Sequence, residues 1–501
     1  MKKLYTIFAA ALVMLAAVSC EKNDVLPSAN DKKVVTLSAS IGKAATKTAL
    51  GNPTVDGYPL YWSENDKIAV YNNGKMYEFT IDEEDAGKET GNFTCETEGN
   101  FDLSKPIYAI YPCTDVTFES DGTIAKYTVP SVQQYKQNGF ADNVAPMIAY
   151  SEEGTALSFT NMFGAIKLQL KGTEKVKSIE VVSMPNANLN GPAVFKVEDS
   201  PTIKEWQWLT PDTRSVRLDC GNNGVQLNTT STTDFMIVLP PYQNTGLAFV
   251  ISTEENIYYK SMTTTNTIRA GEILVMGELD LDKTVNPDVV KATDYSYIEN
   301  GVYLGEGIKV DNLYWAPVNC GYEKAIGDYK GYTWGKLYQF AGGGYGYSKE
   351  YDASADLLWS NPPSVSSWSS RPCPQGWRFP TKEEIGGLMI NSEQLDVYNG
   401  QKGFWMGSSM GNPQIFFPAA GYINYYDGAS DRESIGYYFS LTDQHKDDGI
   451  HKFYVSGGNT VVREKINYFY ISAYSVRCVK DCPKTGAGTG GYENGGENLE
   501  W

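Results

Sequence analysis

The run "VVTLSASIG" at residues 34–42 sets Val35, Leu37, Ala39 and Ile41 on one side and mostly polar residues on the other. Alternation with period two puts a single face of an extended strand on a core. The same texture recurs as short apolar runs at Lys67–Tyr71, Met76–Ile81, Ile107–Tyr111, Met147–Tyr150, Ala165–Leu170, Val176–Val182, Phe235–Leu239, Ala248–Ser252 and Ile273–Leu279. Turn formers such as "NNGK" and "ESDG" separate some of them. No long helical pattern occurs before residue 290. Tyrosine (35) and glycine (48) are abundant, a mix that favours strands over helices.

A chain of 501 residues is too long for one core. The economical reading of 34–283 is two β-sandwiches in series, 34–150 and 151–283, with the seam near "YSEEGTALS". "LDKTVNPDVVKATD" reads as a polar linker, covering 284–294. Beyond it Trp and Tyr become dense, and helices are expected at Gly331–Phe340 and Lys382–Ile390, giving an α+β domain over 295–482. The tail 483–501 is glycine-rich, as expected of a flexible segment.

The first twenty residues, "MKKLYTIFAAALVMLAAVSC", carry two lysines, an apolar run from Leu4 to Val18 and small residues before Cys20. That is the pattern of a secretory signal peptide rather than a membrane span. The ending "LAAVSC" resembles a bacterial lipobox, which implies lipidation of Cys20; an ordinary signal peptide with a chance cysteine is the alternative. Residues 21–33 are polar and read as a tether. An exported protein meets an oxidising compartment, where disulfides persist. Without Cys20, seven cysteines remain, so at least one thiol is free or paired between chains.

The stretch "RPCPQGWRFPTKEE" at 371–384 holds a helix start. Thr381 is placed to cap, with Glu384 three residues on as in a capping box, and three prolines keep the preceding chain extended.

Two resemblances follow. The segments "VTLSASIGKAATKT", "YWSENDKIAVYNNG", "APMIAY", "LSFTNMFGAIKLQL", "KVKSIEVVS", "LNGPAVF", "FMIVLPP" and "IRAGEILVMGELDL" occur in the order seen in fimbrillin-like (Mfa-like) surface lipoproteins of Bacteroidetes-type bacteria. This resemblance implies two transthyretin-like sandwiches and a role in surface fimbriae. It also implies assembly with other subunits by strand exchange, after cleavage at a basic residue; Lys43 and Lys47 stand just past the first strand. The third domain resembles the Fibrobacter succinogenes major paralogous domain, a relative of the C-type-lectin fold. "NLYWAPVN", "YTWGKLYQF", "CPQGWRFPTKEEI", "GFWMGSS" and "YSVRCVKD" carry that likeness. It implies a disulfide from Cys373 to Cys478 and an architectural role for Trp377 and Pro380.

Catalytic machinery is hard to assemble from these residues. The two histidines, His445 and His451, lie in "DQHKDDGIHK", which reads as a solvated loop. No Gly-x-Ser-x-Gly elbow stands out. The calcium-lectin motifs are missing, so neither metal nor cofactor is expected. The net charge of −18 excludes nucleic acid as a partner. "GYINYYDG" sets Tyr422, Tyr425 and Tyr426 beside Asn424 and Asp427, a composition suited to sugar or protein surfaces; tyrosines covering the core are the alternative.

The chain therefore reads as a non-enzymatic, lipid-anchored protein of the outer membrane surface. It would act as a fimbrial tip or accessory subunit and adhesin, binding a glycan or a host or bacterial surface protein through its lectin-like domain. The alternatives are a stand-alone surface glycan-binding lipoprotein and an enzyme acting on surface glycans.

Overall fold

The computed structural model describes residues 33–41, 49–50, 60–98, 100–184, 187–197, 205–210, 214–262, 266–283, 289–325, 333–340, 347–352, 372–390, 395–408, 414–424, 428–440, 449–456, 460–466 and 472–482. Among these the chain is nearly all β. Every strand read from the sequence is present, with ends shifted by at most two residues.

The first strand, β1 (Lys33–Ile41), belongs to a closed seven-stranded barrel. Round the barrel its neighbours are Ala156–Asn161, Met147–Ser151, Ile107–Tyr111, Lys67–Asn72, Lys75–Ile81 and Thr90–Thr97. The hairpin from Lys67–Asn72 to Lys75–Ile81 turns on Asn73 and Gly74, with φ of 49° and 81°. Positive φ at both central residues is the tight turn whose twist matches its strands. Val35, Leu37 and Ala39 point inward and pack with Trp62, Phe79, Phe93, Tyr111 and Phe159.

Closure replaces the open two-sheet sandwich expected here. The expected seam also moves. Residues 152–155 connect the two strands of a hairpin, with Met147 opposite Asn161 and Ile148 opposite Thr160. Turn residues look alike in a hairpin and between domains, so the sequence could not separate them. Ala156–Asn161 completes the barrel, while Ile124–Val129 and Val132–Gln134 join sheets of the second body.

That second body packs Thr233–Leu239, Gly164–Lys171 and Ile273–Asp280 over a larger sheet centred on Lys175–Ser183 and Leu247–Thr253. Its core comprises Ile166, Leu168, Ile179, Val181, Phe235, Ile237, Phe249 and Ile251. A further cluster joins Ala69 and Ile110 of the barrel to Ala165, Met236 and Val238, so the two bodies share a hydrophobic interface. Part of the expected linker is structured: Val289–Lys291 adds an edge strand beside Ile257–Ser261.

The third body docks on the second. Val302 packs against Val182, Met184 and Ala248, Tyr259 stacks on Tyr303 at 6.1 Å, and Arg214 pairs with Glu323 at 3.4 Å. The helix expected at 331–340 is instead a strand, Lys336–Phe340, paired with Tyr347–Asp352 and Ser472–Ser475. Gly335 at φ 78° ends the preceding turn, and Leu337 and Tyr338 are buried on opposite faces, as a central strand allows. The second expected helix, α1, spans only Lys382–Gly387. Its two closing glycines are weak helix formers, and Met389–Ile390 leaves to pair with Met406–Gly407.

The strap before α1 is architectural. Glu384 N–H donates to Thr381 Oγ1 at 3.2 Å and Thr381 N–H donates to Glu384 Oε2 at 2.7 Å, closing the capping box. Arg378 grips Glu384 through both Nη atoms and reaches Asp481 at 2.6 Å, tying the strap to the last strand. Burial works against ionisation of Glu384, but Arg378 and the Thr381 N–H hold its carboxyl below the ordinary range. Trp377 lies edge-on to Tyr297 at 5.0 Å, and Cys373 is bonded to Cys478 with Cα atoms 5.8 Å apart.

The disulfide closes a loop of 105 residues. Loop-closure entropy makes that worth about 4 to 5 kcal/mol before strain. The double substitution Cys373→Ala, Cys478→Ala should therefore move the urea midpoint of the third body sharply down, leaving the barrel's transition in place. A coincident, unshifted transition would contradict the architectural role.

Candidate functional site

The barrel's closing position is the first candidate. β1 runs antiparallel to Thr90–Thr97, with Val35 opposite Cys95 and Leu37 opposite Phe93. On its other flank it runs parallel to Ala156–Asn161, with Ser38 opposite Ala156 and Ile41 opposite Phe159. The strand thus lies in a groove with hydrogen-bonding walls on both sides and an aromatic floor. Trp62 is the centre of that floor. Its ring is fully buried and meets Phe93, Tyr111 and Phe159 edge-on at 4.8, 5.8 and 5.7 Å. Its Nε1–H donates to the Ala39 carbonyl at 3.1 Å. Beneath it, Tyr111 O–H donates to the buried Asp66 at 3.0 Å, and Asp66 accepts from Ser63 N–H at 2.7 Å. Gly91, opposite Ala39 in the ladder, lies against the indole, where an added Cβ would stand 3.4 Å from Trp62 Cδ1, and the indole in turn reads a main-chain carbonyl of the strand. The sequence shows Trp62 only as one aromatic among many; nothing in its spacing reveals that it touches β1.

The tyrosine cluster is the second. Tyr422 is half-buried, edge-on to Tyr437 at 4.8 Å and stacked on Tyr474 at 6.3 Å. Its ring faces core neighbours. Asn424 lies in the Tyr422–Asn424 strand, which pairs with Gly428–Ser430 and Ser472–Ser475. Tyr425, Tyr426 and Asp427 fall outside the described residues, as do Cys20, Lys43 and Lys47.

His451 is not in a solvated loop. It is buried in the Gly449–Ser456 strand, opposite Tyr438 and Lys465. His445 lies outside the described residues. Among the described residues no three His, Cys, Asp or Glu side chains gather as metal ligands would.

A buried polar node escaped the sequence reading. Glu299 accepts from Gly321 N–H at 2.7 Å and from Tyr297 O–H at 3.1 Å, with the Cys320 thiol at 3.5 Å. Burial pushes the Glu299 carboxyl up to about 7, and burial beside that carboxylate holds the Cys320 thiol protonated. Cys320 donates to the Pro372 carbonyl at 2.8 Å, next to the Cys373–Cys478 bridge. A thiol so held is a poor nucleophile, and the node fastens the strap.

No protein-family model and no curated protein sequence matches this chain. Solved structures do resemble it. One is described as a cell adhesion protein of Bacteroides ovatus, 13% identical, with 52% of this chain and 97% of that one aligned at a TM-score of 0.33. Another, from Bacteroides uniformis and described likewise, is 16% identical over 54% and 98%, at 0.32. The tip fimbrial protein Mfa3 from Porphyromonas gingivalis, with C-terminal truncation, is 10% identical over 52% and 99%, at 0.25. Likeness at that level leaves function to be argued from the site.

Trp62→Phe tests the floor. It keeps a ring but removes the indole donor from the Ala39 carbonyl, which still faces Gly91 across the ladder, a loss of about 1 kcal/mol for one hydrogen bond. Hydrogen exchange of the β1 amides should quicken accordingly. Unchanged exchange would show that the indole does not hold the strand.

Proposed function

We propose that this protein is a lipid-anchored surface adhesin that takes a tip or accessory position in a fimbria, accepting a strand from a neighbouring subunit. The observation that carries this reading is the place of β1: it is the first strand among the described residues and it closes the barrel between two hydrogen-bonding walls. Removing it bares two strand edges and an apolar floor, an acceptor for another extended chain. Lys43 and Lys47 stand just past it for cleavage. Donation is a different matter. The strand Ile273–Asp280 is built into the second body beside Gly164–Lys171, and the chain then runs through Val289–Lys291 into the third body. A chain that accepts but does not donate belongs at an end.

In this reading Cys20 carries the lipid during export to the outer membrane surface. The third body is a lectin-like head that acts without chemistry on its ligand, a glycan or a host or bacterial surface protein. The loop Tyr422–Asp427, with Asn424, Tyr425 and Tyr426, is the proposed contact. A second reading, a stand-alone glycan-binding lipoprotein, is favoured by the grip of Trp62 on Ala39, which suits a strand that stays.

N-terminal sequencing of protein sheared from cells separates the two. A start at Ala44 or Thr48 supports the fimbrial position, and a lipidated Cys20 in every molecule supports the stand-alone protein. Cys20→Ala protein that still partitions into membrane like the parent would contradict lipid anchoring.

A further inference from the structure

The sequence Asp396–Tyr398, Asn399–Gly400, Gln401–Gly407 is a two-residue hairpin of the third body. Asn399 and Gly400 have φ of 50° and 76°, the tight turn that suits Asn-Gly. The hairpin lays Tyr398 beside Trp405. The next strand, Gln414–Pro418, sets Phe416 opposite Trp405. The three rings touch pairwise, with centroids at 5.1 Å for Tyr398–Trp405, 5.4 Å for Tyr398–Phe416 and 5.2 Å for Trp405–Phe416. Phe416 is the buried floor. Tyr398 is 47% exposed and Trp405 partly so. Gly403 makes the arrangement possible: a Cβ there would stand 2.6 Å from the Phe416 ring.

Two aromatic rings reaching solvent need a reason. They do not cover a core, since Phe404 and Met406 do that from the opposite face of the same strand. Nor are they loose. Trp405 Nε1–H donates to Asp396 Oδ2 at 2.8 Å, and Asp396 Oδ1 accepts from Val397 N–H at 2.8 Å. Gln401 Nε2, beside the turn, ties that end of the hairpin to the Thr333 carbonyl. The rings are therefore fixed before any ligand arrives, which lowers the cost of binding. A carboxylate offers about four acceptor positions, so Asp396 keeps room for further donors at the rim of the rings.

We propose that Tyr398 and Trp405, over Phe416 and beside Asp396, form a platform for a neutral saccharide. The inference deepens the reading of the third body as a ligand-binding head and rests on it. A sugar ring has an apolar C–H face to lay on an aromatic ring and hydroxyl donors to offer Asp396. Anionic ligands do not fit, because the carboxylate stands at the rim of the rings and the chain carries a net charge of −18. A protein partner does not fit either. Stable protein interfaces take roughly 20 to 30 residues a side, and this platform is three rings and a carboxylate. It is distinct from the Tyr422–Asp427 loop, and Tyr422 turns its ring to Tyr437 and Tyr474.

The test is full-length protein on a printed array of neutral hexose and N-acetylhexosamine oligosaccharides, read for the parent, Tyr398→Ala, Trp405→Phe and Asp396→Ala. The parent should bind a subset, and Tyr398→Ala should weaken that binding about tenfold, the worth of one aromatic contact. Trp405→Phe should remove the change in tryptophan fluorescence on binding while the thermal transition stays in place. Tyr398 is exposed, so its loss leaves the fold intact and keeps the test interpretable. Parent binding that all three variants retain would overturn the platform and leave the head reading standing. A folded parent that binds no neutral saccharide would overturn the head's glycan reading, and the platform with it.

Discussion

β1 is held from both sides, and the rest of the N-terminal architecture depends on that. Its antiparallel partner Thr90–Thr97 and its parallel partner Ala156–Asn161 are distant in sequence, and neither reaches the other without it. Val35 and Leu37 give the strand its hydrophobic hold, at about 1.5 to 3 kcal/mol for each fully buried side chain. Ala39 contributes little area. Its carbonyl accepts from the Trp62 N–H, and Gly91 opposite it lies against the indole. Closure leaves no open edge while β1 is in place and two open edges if it departs. Stability of the isolated protein and capacity for a partner strand are thus two states of one groove.

The third body reaches rigidity by other means. Among its described residues there is one helix, of six residues, so local helix propensity contributes little there. The Cys373–Cys478 bond, the Thr381–Glu384 capping box, the Arg378 contacts to Glu384 and Asp481, and the Glu299–Cys320 node all converge on the strap and the last strand. Arg477 adds a buried link, donating to Asn319, Ala316 and Phe416 at 2.7 to 3.0 Å. Val302 and the Arg214–Glu323 pair join this pinned body to the second.

Strand positions were legible wherever one face was plainly apolar, as in Met76–Ile81 and Val176–Val182. They were illegible where a strand is held by its neighbours: "TGNFTCET" at Thr90–Thr97 offers the barrel core little beyond Phe93. Order round a barrel is a matter of distant pairing, which one sequence does not record, so closure and the interleaving of the first two bodies were missed. Helix was read into "YTWGKLYQF" because aromatic spacing does not separate a helix face from a doubly buried strand. The capping box was legible because its chemistry is local. The disulfide followed from resemblance alone. Trp62 and the Tyr398–Trp405 hairpin were not singled out, because their meaning lies in what they touch; the Asn399–Gly400 turn was the one signal that could have pointed to the latter.

The central claim is that the groove under β1 is a separable acceptor. The direct measurement places a single protease site within residues 42–48 of the full chain, cuts it, and offers a fluorescent peptide of residues 33–41. The account predicts that the peptide enters and restores the barrel's thermal transition, and that the same peptide carrying Ala39→Leu, which would overfill the fully buried core at that position, does not. A cut protein that keeps its stability after its own strand is washed away, and binds neither peptide, would contradict it.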